Sequence, residues 1–232
     1  MITVVIPLYK GVTHLDFTGP HQVLSSLPEV DVRVASLGGL PICADGLTFS
    51  NLVDLEAIQS CQVLCVPGGL GCFQAMENPV FIAAIQRLAA KADYVTSVCT
   101  GSLILGAAGL LKGRRATTHW AWRHMLVEFG AVVGDDRVVR DGNIMTGSGI
   151  TAGIDFALTL VAEVCGTDIA QYIQLMLEYA PAPPFEAGRP ETAPAHISAA
   201  FMENMRDVLG DSRKRIHAAA QRVAEVSAVP AL

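Results

Sequence analysis

Residues 2–8, ITVVIPL, form an unbroken apolar run of strand length. Such a run marks a strand buried on both faces. VDVRVASL (30–37) alternates apolar and polar positions and predicts a second strand. GGLPICADGLTFS (38–50) is rich in Gly, Pro and Asp and predicts a turn with a short hairpin. QVLCVPGG (62–69) reads as another buried strand, stopped by Pro67-Gly68-Gly69. NPVFIAAIQRLAAKA (78–92) opens on a capping Asn with Pro in the first turn, then shows helical spacing. DYVTSVC (93–99) predicts a strand and GSLILGAAGLL (101–111) the helix after it.

The second half continues the pattern. THWAWRHMLVEFG (118–130) predicts a helix ended by Gly130. AVVGDDRVVRDGNIMTGSG (131–149) predicts two short strands around an Asp-Gly turn. Helices are expected over 151–166 and 167–180, then a proline-rich excursion over 181–194, then two helices near 195–209 and 211–226. Strands alternating with helices imply a mainly parallel sheet covered on both faces, an α/β architecture. The expected organisation is a single domain over 1–232, with 181–232 a C-terminal helical extension.

Composition narrows the function. The 232 residues suffice for one substantial core. Charged residues make up 16% and hydrophobic ones 51%, so much of the surface is weakly polar, as at a subunit interface or simply as in an Ala/Val/Leu-rich core. The net charge is −6, and the only basic run is DSRKR (211–215), so no nucleic-acid footprint is expected. No apolar run reaches the roughly 18 residues a membrane helix requires. The start MITVVIPLYK lacks a positive leader region, which predicts a cytoplasmic protein. The six cysteines are not spaced as a disulfide framework. Cys61 and Cys65 lack a second ligand pair for zinc, and Cys65 sits in an apolar run as core.

Cys99 stands out by position. Ser97-Val98-Cys99-Thr100-Gly101 follows a buried strand and opens a helix, the nucleophile-elbow arrangement. Small neighbours let strand and helix approach while the nucleophile takes a strained backbone conformation. The helix N-terminus favours the thiolate, which is the reactive form. The alternative is a buried small hydrophobe. Gly68 and Gly69 end the preceding strand at the same carboxyl edge, where ligands of open parallel sheets bind. Their amides, with that of Thr100, are candidates for binding developing negative charge; the plain reading is a strand-end turn. Asp16, in the loop GVTHLDFTGP (11–20), is either a helix cap or a carboxyl partner for Cys99. As a partner it would share one proton with the thiol.

LDFTGP, VPGG, CTGS, ATTHWAW and GSGITAGIDFALTLV in this order resemble the ThiJ/PfpI superfamily and, within it, the isonitrile hydratase (isocyanide hydratase) family. The resemblance covers at least residues 2–180. It implies a flavodoxin-like three-layer sandwich, a homodimer, no cofactor and no metal. It implies an isonitrile, R–N≡C, as small-molecule substrate and an N-substituted formamide as product. Carried over by motif, Cys99 is the nucleophile, Asp16 the acid/base and Thr100 a further site residue. Gly68, Gly69, Gly149 and Ile150 line the pocket. Phe17, Trp120 and Ile150 are candidates for apolar pocket walls or plain core, and His119 for a wall or a structural role. Protease-like members carry His directly after the cysteine, where this chain has Thr100. AraC-type regulators share these motifs but append a DNA-binding module of about 100 residues, and only about 50 follow the proline-rich segment here. Two alternatives stay open: a cysteine redox sensor or stress-response binding protein, and a glyoxalase-like or other cysteine hydrolase.

Overall fold

The computed structural model describes residues 1–228; the end of the expected C-terminal extension, 229–232, lies outside the described residues. In chain order the elements are β1 (Ile2–Pro7), α1 (His14–Leu24), β2 (Val30–Ser36), β3 (Ile42–Ala44), β4 (Leu47–Phe49), β5 (Val53–Asp54) and β6 (Val63–Val66). α2 (Cys72–Glu77), α3 (Pro79–Ala89), β7 (Tyr94–Val98), α4 (Gly101–Ala107) and β8 (Arg115–Ala116) follow. After a 3₁₀ helix (Arg123–Phe129) come β9 (Val132–Val133), β10 (Val138–Asp141), β11 (Ile144–Gly147), α5 (Ala152–Cys165), α6 (Thr167–Met176), α7 (Ala195–Asn204) and α8 (Arg206–Ala228).

Seven strands form one sheet in the order β10-β11-β7-β6-β1-β2-β5. All neighbours are parallel except β10, which runs antiparallel to β11. The apolar runs of β1 and β6 occupy the middle, and all four β6 residues are buried. α1, α5 and α6 pack on one another over one face, while α2, α3, α4 and α8 cover the other. The result is the expected mainly parallel three-layer sandwich. Sequence order reverses at β1, with β2 on one side and β6 and β7 on the other. That is the switch point where strand carboxyl ends open a crevice.

Local chemistry explains several boundaries. Asn78 caps α3 as expected, its Oδ1 accepting from the Val80 and Phe81 amides. The β3–β4 hairpin turns on Asp45 and Gly46, with φ of 49° and 83°. In the β10–β11 hairpin Asp141 still pairs with Ile144, so the turn is Gly142-Asn143, one residue later than the Asp-Gly reading.

Three expectations are corrected. Residues 118–130 do not form an α-helix. Trp122, Arg123, Met125 and Gly130 each donate to the carbonyl three residues back, so the segment is turn and 3₁₀ helix, ended by Gly130 at φ 71°. Bulky Trp120 and Trp122 pack on different partners there, Phe201 and Phe73, and aromatic residues resist helical χ1 restriction. Asp16 lies in the first turn of α1 rather than in a loop. The break between the last two helices falls at Met205, and Gly210 lies inside α8, because the apolar face continues through Val208 and Leu209.

β6 and α4 meet backbone to backbone. A Cβ on Gly101 would sit 2.1 Å from the Val66 carbonyl oxygen, an atom held in the sheet and unable to yield. Gly101→Ala is therefore expected to cost at least about 2 kcal/mol, read as a lower urea midpoint. An unchanged midpoint would mean that α4 is free to shift.

Candidate active site

Three adjacent strands, β1, β6 and β7, deliver their carboxyl ends to one point. Cys99 follows β7 at once with φ 54°, in the left-handed region that non-glycine residues seldom adopt. Its amide donates to the carbonyls of Gly147 (3.1 Å) and Ser148 (2.8 Å). Its carbonyl accepts from Thr118 Oγ1 (2.7 Å) and Ser102 Oγ (3.2 Å). The strained turn is thus fixed from both sides, and the side chain is 4% exposed.

The other two strand ends are clamped to it. Asp16 is fully buried, and its Oδ2 accepts from the Gly68 amide at 2.9 Å. The Gly68 carbonyl in turn accepts from the Thr13 amide at 2.9 Å. Thr100 Oγ1 accepts from the Gly69 amide (2.8 Å) and donates to the Gly69 carbonyl (3.1 Å). A Cβ on Gly68 would lie 2.5 Å from the Thr100 nitrogen and 2.7 Å from Asp16 Oδ2. Gly68 is therefore required by close approach. It uses its amide to hold Asp16, and Gly69 uses its own to hold Thr100. Cys99 Sγ interacts with the Asp16 carboxyl, whose Oδ1 is buried without a well-formed partner.

Burial dominates the electrostatics. Removal from water raises the Asp16 carboxyl from 3.8 to about 7, against the opposing Gly68 amide and the Cys99 thiol. Burial first, and the Asp16 charge second, push the Cys99 thiol well above its ordinary value, although the Thr100 amide favours the thiolate. The amide at the helix start acts in the expected direction, but the start of a seven-residue helix does not offset desolvation. The pair loses one proton near neutrality and resists losing the second, since two negative charges in a dry site repel.

Of the expected site residues, Cys99, Asp16, Thr100, Gly68 and Gly69 come together. His119, Trp120, Gly149 and Ile150 gather in a neighbouring cavity of about 210 Å³. Arg123, Asp135 and Arg137 also line it, so charged residues join the expected Trp120 and Ile150 in its wall. His119 Nδ1 accepts from the Ala121 amide, and burial takes the ring down to about 4, so it is neutral at pH 7. Phe17 lies elsewhere, buried edge-on against Phe49 beside a groove between α1, β2 and β4. Sequence reasoning missed Thr118 and Ser102, which hold the Cys99 carbonyl, and Tyr9, whose hydroxyl donates to the Pro67 carbonyl at 2.8 Å. Thr118 and Tyr9 each lie two residues past a strand end, and Ser102 lies in the first turn of α4. Among the described residues no cluster of three or more His, Cys, Asp or Glu is arranged to hold a metal.

The sequence pattern of the DJ-1/PfpI family matches residues 2–163. The chain belongs to the DJ-1/PfpI family. It is 53% identical over 191 residues to an isonitrile hydratase of Pseudomonas putida, an alignment covering 82% of this chain and 84% of that one. A ThiJ/PfpI family protein from Pseudomonas syringae superposes with a TM-score of 0.89 at 40% identity, covering 94% of this chain and 90% of that chain. DJ-1beta of Drosophila melanogaster, 24% identical with a TM-score of 0.69 over 78% of this chain and 99% of its own, shares the fold.

The raised carboxyl of this family member has a stability consequence. A folded-state value near 7 against 3.8 means that the folded state holds a proton that the unfolded state releases between those pH values. Stability contributed at low pH is lost as pH rises through about 7. Asp16→Asn removes the buried charge and keeps an acceptor for Gly68. It is expected to raise stability at pH 8 by about 1–3 kcal/mol and to change it little at pH 4. Urea unfolding at the two pH values checks this, and an equal effect at both would sink it.

Proposed function

We propose that the protein is a cofactor-independent isonitrile hydratase, converting R–N≡C and water to R–NH–CHO. The observation that carries this reading is a buried Asp16–Cys99 pair in a chain 53% identical to a P. putida isonitrile hydratase. The working form of the pair holds one proton. Asp16 protonates the terminal carbon as Cys99 Sγ bonds to it, giving R–N=CH–S-Cys99. Asp16 then takes a proton from water as hydroxide adds to that carbon, and returns the proton to nitrogen. The C–S bond breaks as the added hydroxyl gives its proton to Asp16. Formamide leaves and the one-proton pair is restored. Covalent catalysis divides one difficult addition into two easier ones, and one carboxyl acts as acid and base in turn. Thr100 and the glycine edge position both groups.

The reading extends to a homodimer built on the single unit 1–232. Ile169, Tyr172, Leu175 and Met176 lie exposed on one side of α6, an apolar stripe of the sort that marks an interface.

Wild-type protein should convert a neutral alkyl isonitrile to its formamide and leave methylglyoxal untouched. Cys99→Ala should lose at least about a thousandfold in kcat, and Asp16→Asn about a hundredfold or more. Mass spectrometry should find the substrate mass added to Cys99. Below about 7, where the pair carries two protons, kcat/KM should fall about tenfold per pH unit. Normal turnover by Cys99→Ala would end the proposal.

A further inference from the structure

The cavity beside the elbow has a charge pattern that hydration of a neutral isonitrile does not require. Two of the segments in its walls adjoin groups that hold the nucleophile. Ser148 accepts from the Cys99 amide, and Thr118, next to His119, donates to the Cys99 carbonyl. Three arginines line this space, Arg123, Arg137 and Arg189. Arg137 is matched by Asp155 at 2.7 Å and steadied by Thr151 at 3.1 Å. Among the described residues no carboxylate pairs with Arg123 or Arg189, and Arg123 Nε is buried without a hydrogen-bond partner. Asp135 is the one carboxylate in the lining. One positive charge is left over, and a partly buried guanidinium has a donor unused. His119 is neutral and adds nothing to the balance.

A buried donor without a partner is costly, and a planar guanidinium is shaped to grip a carboxylate. At about 210 Å³ the space has room for a carboxylate with a few carbons. We propose that this cavity, through Arg123 and Arg189, binds a carboxylate carried by the substrate, so that the preferred isonitrile is a small ω-isocyano acid. The inference rests on the isonitrile reading for the reactive end of the molecule, while the anion site stands on the cavity itself.

Binding and turnover separate the two. N-formyl-β-alanine, the product of 3-isocyanopropanoate, and its primary amide are titrated by calorimetry into wild-type protein, Arg123→Gln and Arg189→Gln. The carboxylate should bind at least tenfold tighter than the amide to wild type, and each variant should cut that preference to about threefold or less. Raising salt from about 0.05 to about 0.5 M should weaken only the carboxylate. Equal binding of acid and amide, or a preference kept in both variants, would overturn the proposal. In parallel, kcat/KM for 3-isocyanopropanoate should exceed that for its amide by the same ratio. If neither isonitrile is hydrated while the acid still binds tighter, the hydratase reading fails and the anion site survives.

Discussion

Cys99 has to leave a buried strand with φ 54°, a conformation that costs a residue with a Cβ about 1–2 kcal/mol. Four hydrogen bonds hold it there. Two come from its amide to the end of β11 and the residue after it, one to its carbonyl from Thr118, and one from Ser102 in α4. The amide partners are in place only when β11 lies beside β7, and Thr118 only when the segment after β8 has docked. The position of the sulfur is therefore a consequence of sheet order. The near-absence of side chains at Gly68 and Gly101 is the other half of the same constraint, since any Cβ would push β6 and the elbow apart.

The electrostatics follow from that closeness. A thiol at a helix start gains from the helix dipole, but only modestly, and loses much more when water is removed. Asp16 faces the same contest, and its single amide bond from Gly68 does not keep its carboxyl in the usual range. Packing the two groups together makes each harder to ionise while the other is charged. One proton between them is the state this geometry favours above neutrality. A dry, one-proton pair can give a proton to one group and take one back from another. A more exposed site would have separated the two values and left a carboxylate that is a poor acid.

Much of the sheet was legible in the chain because the central strands are continuous apolar runs, and buried parallel strands leave that trace. The elbow was legible because small residues flank a lone cysteine between a strand and a helix. Other features left no such trace. β5, β8 and β9 are two residues long and exist through pairing alone. The 118–130 segment has helical spacing but is drawn into 3₁₀ turns by tertiary packing of its tryptophans. The raised Cys99 and Asp16 values could not be read from spacing, because burial is set by elements far away in sequence. Phe17 follows Asp16 in the chain, yet successive residues on a helix diverge by about 100°, and it reaches Phe49 instead of the site.

The C-terminal helices bear on both halves of the site. Trp122 Nε1 donates to Ser212 Oγ at 3.0 Å, fastening the 119–122 wall to α8. Arg215, within the basic run, makes two bonds to Glu77 at 2.7 and 2.6 Å and lies over Phe73. That charge is spent on α2, the helix that follows the glycine edge. Gly188, Arg189 and Pro190 form the outer wall of the charged cavity. The family match ends at residue 163, after the last group that touches Cys99 or Asp16. The Cys99–Asp16 pair therefore lies in the part of the chain that the family pattern matches. The segments that brace it and close the neighbouring cavity come from beyond that part.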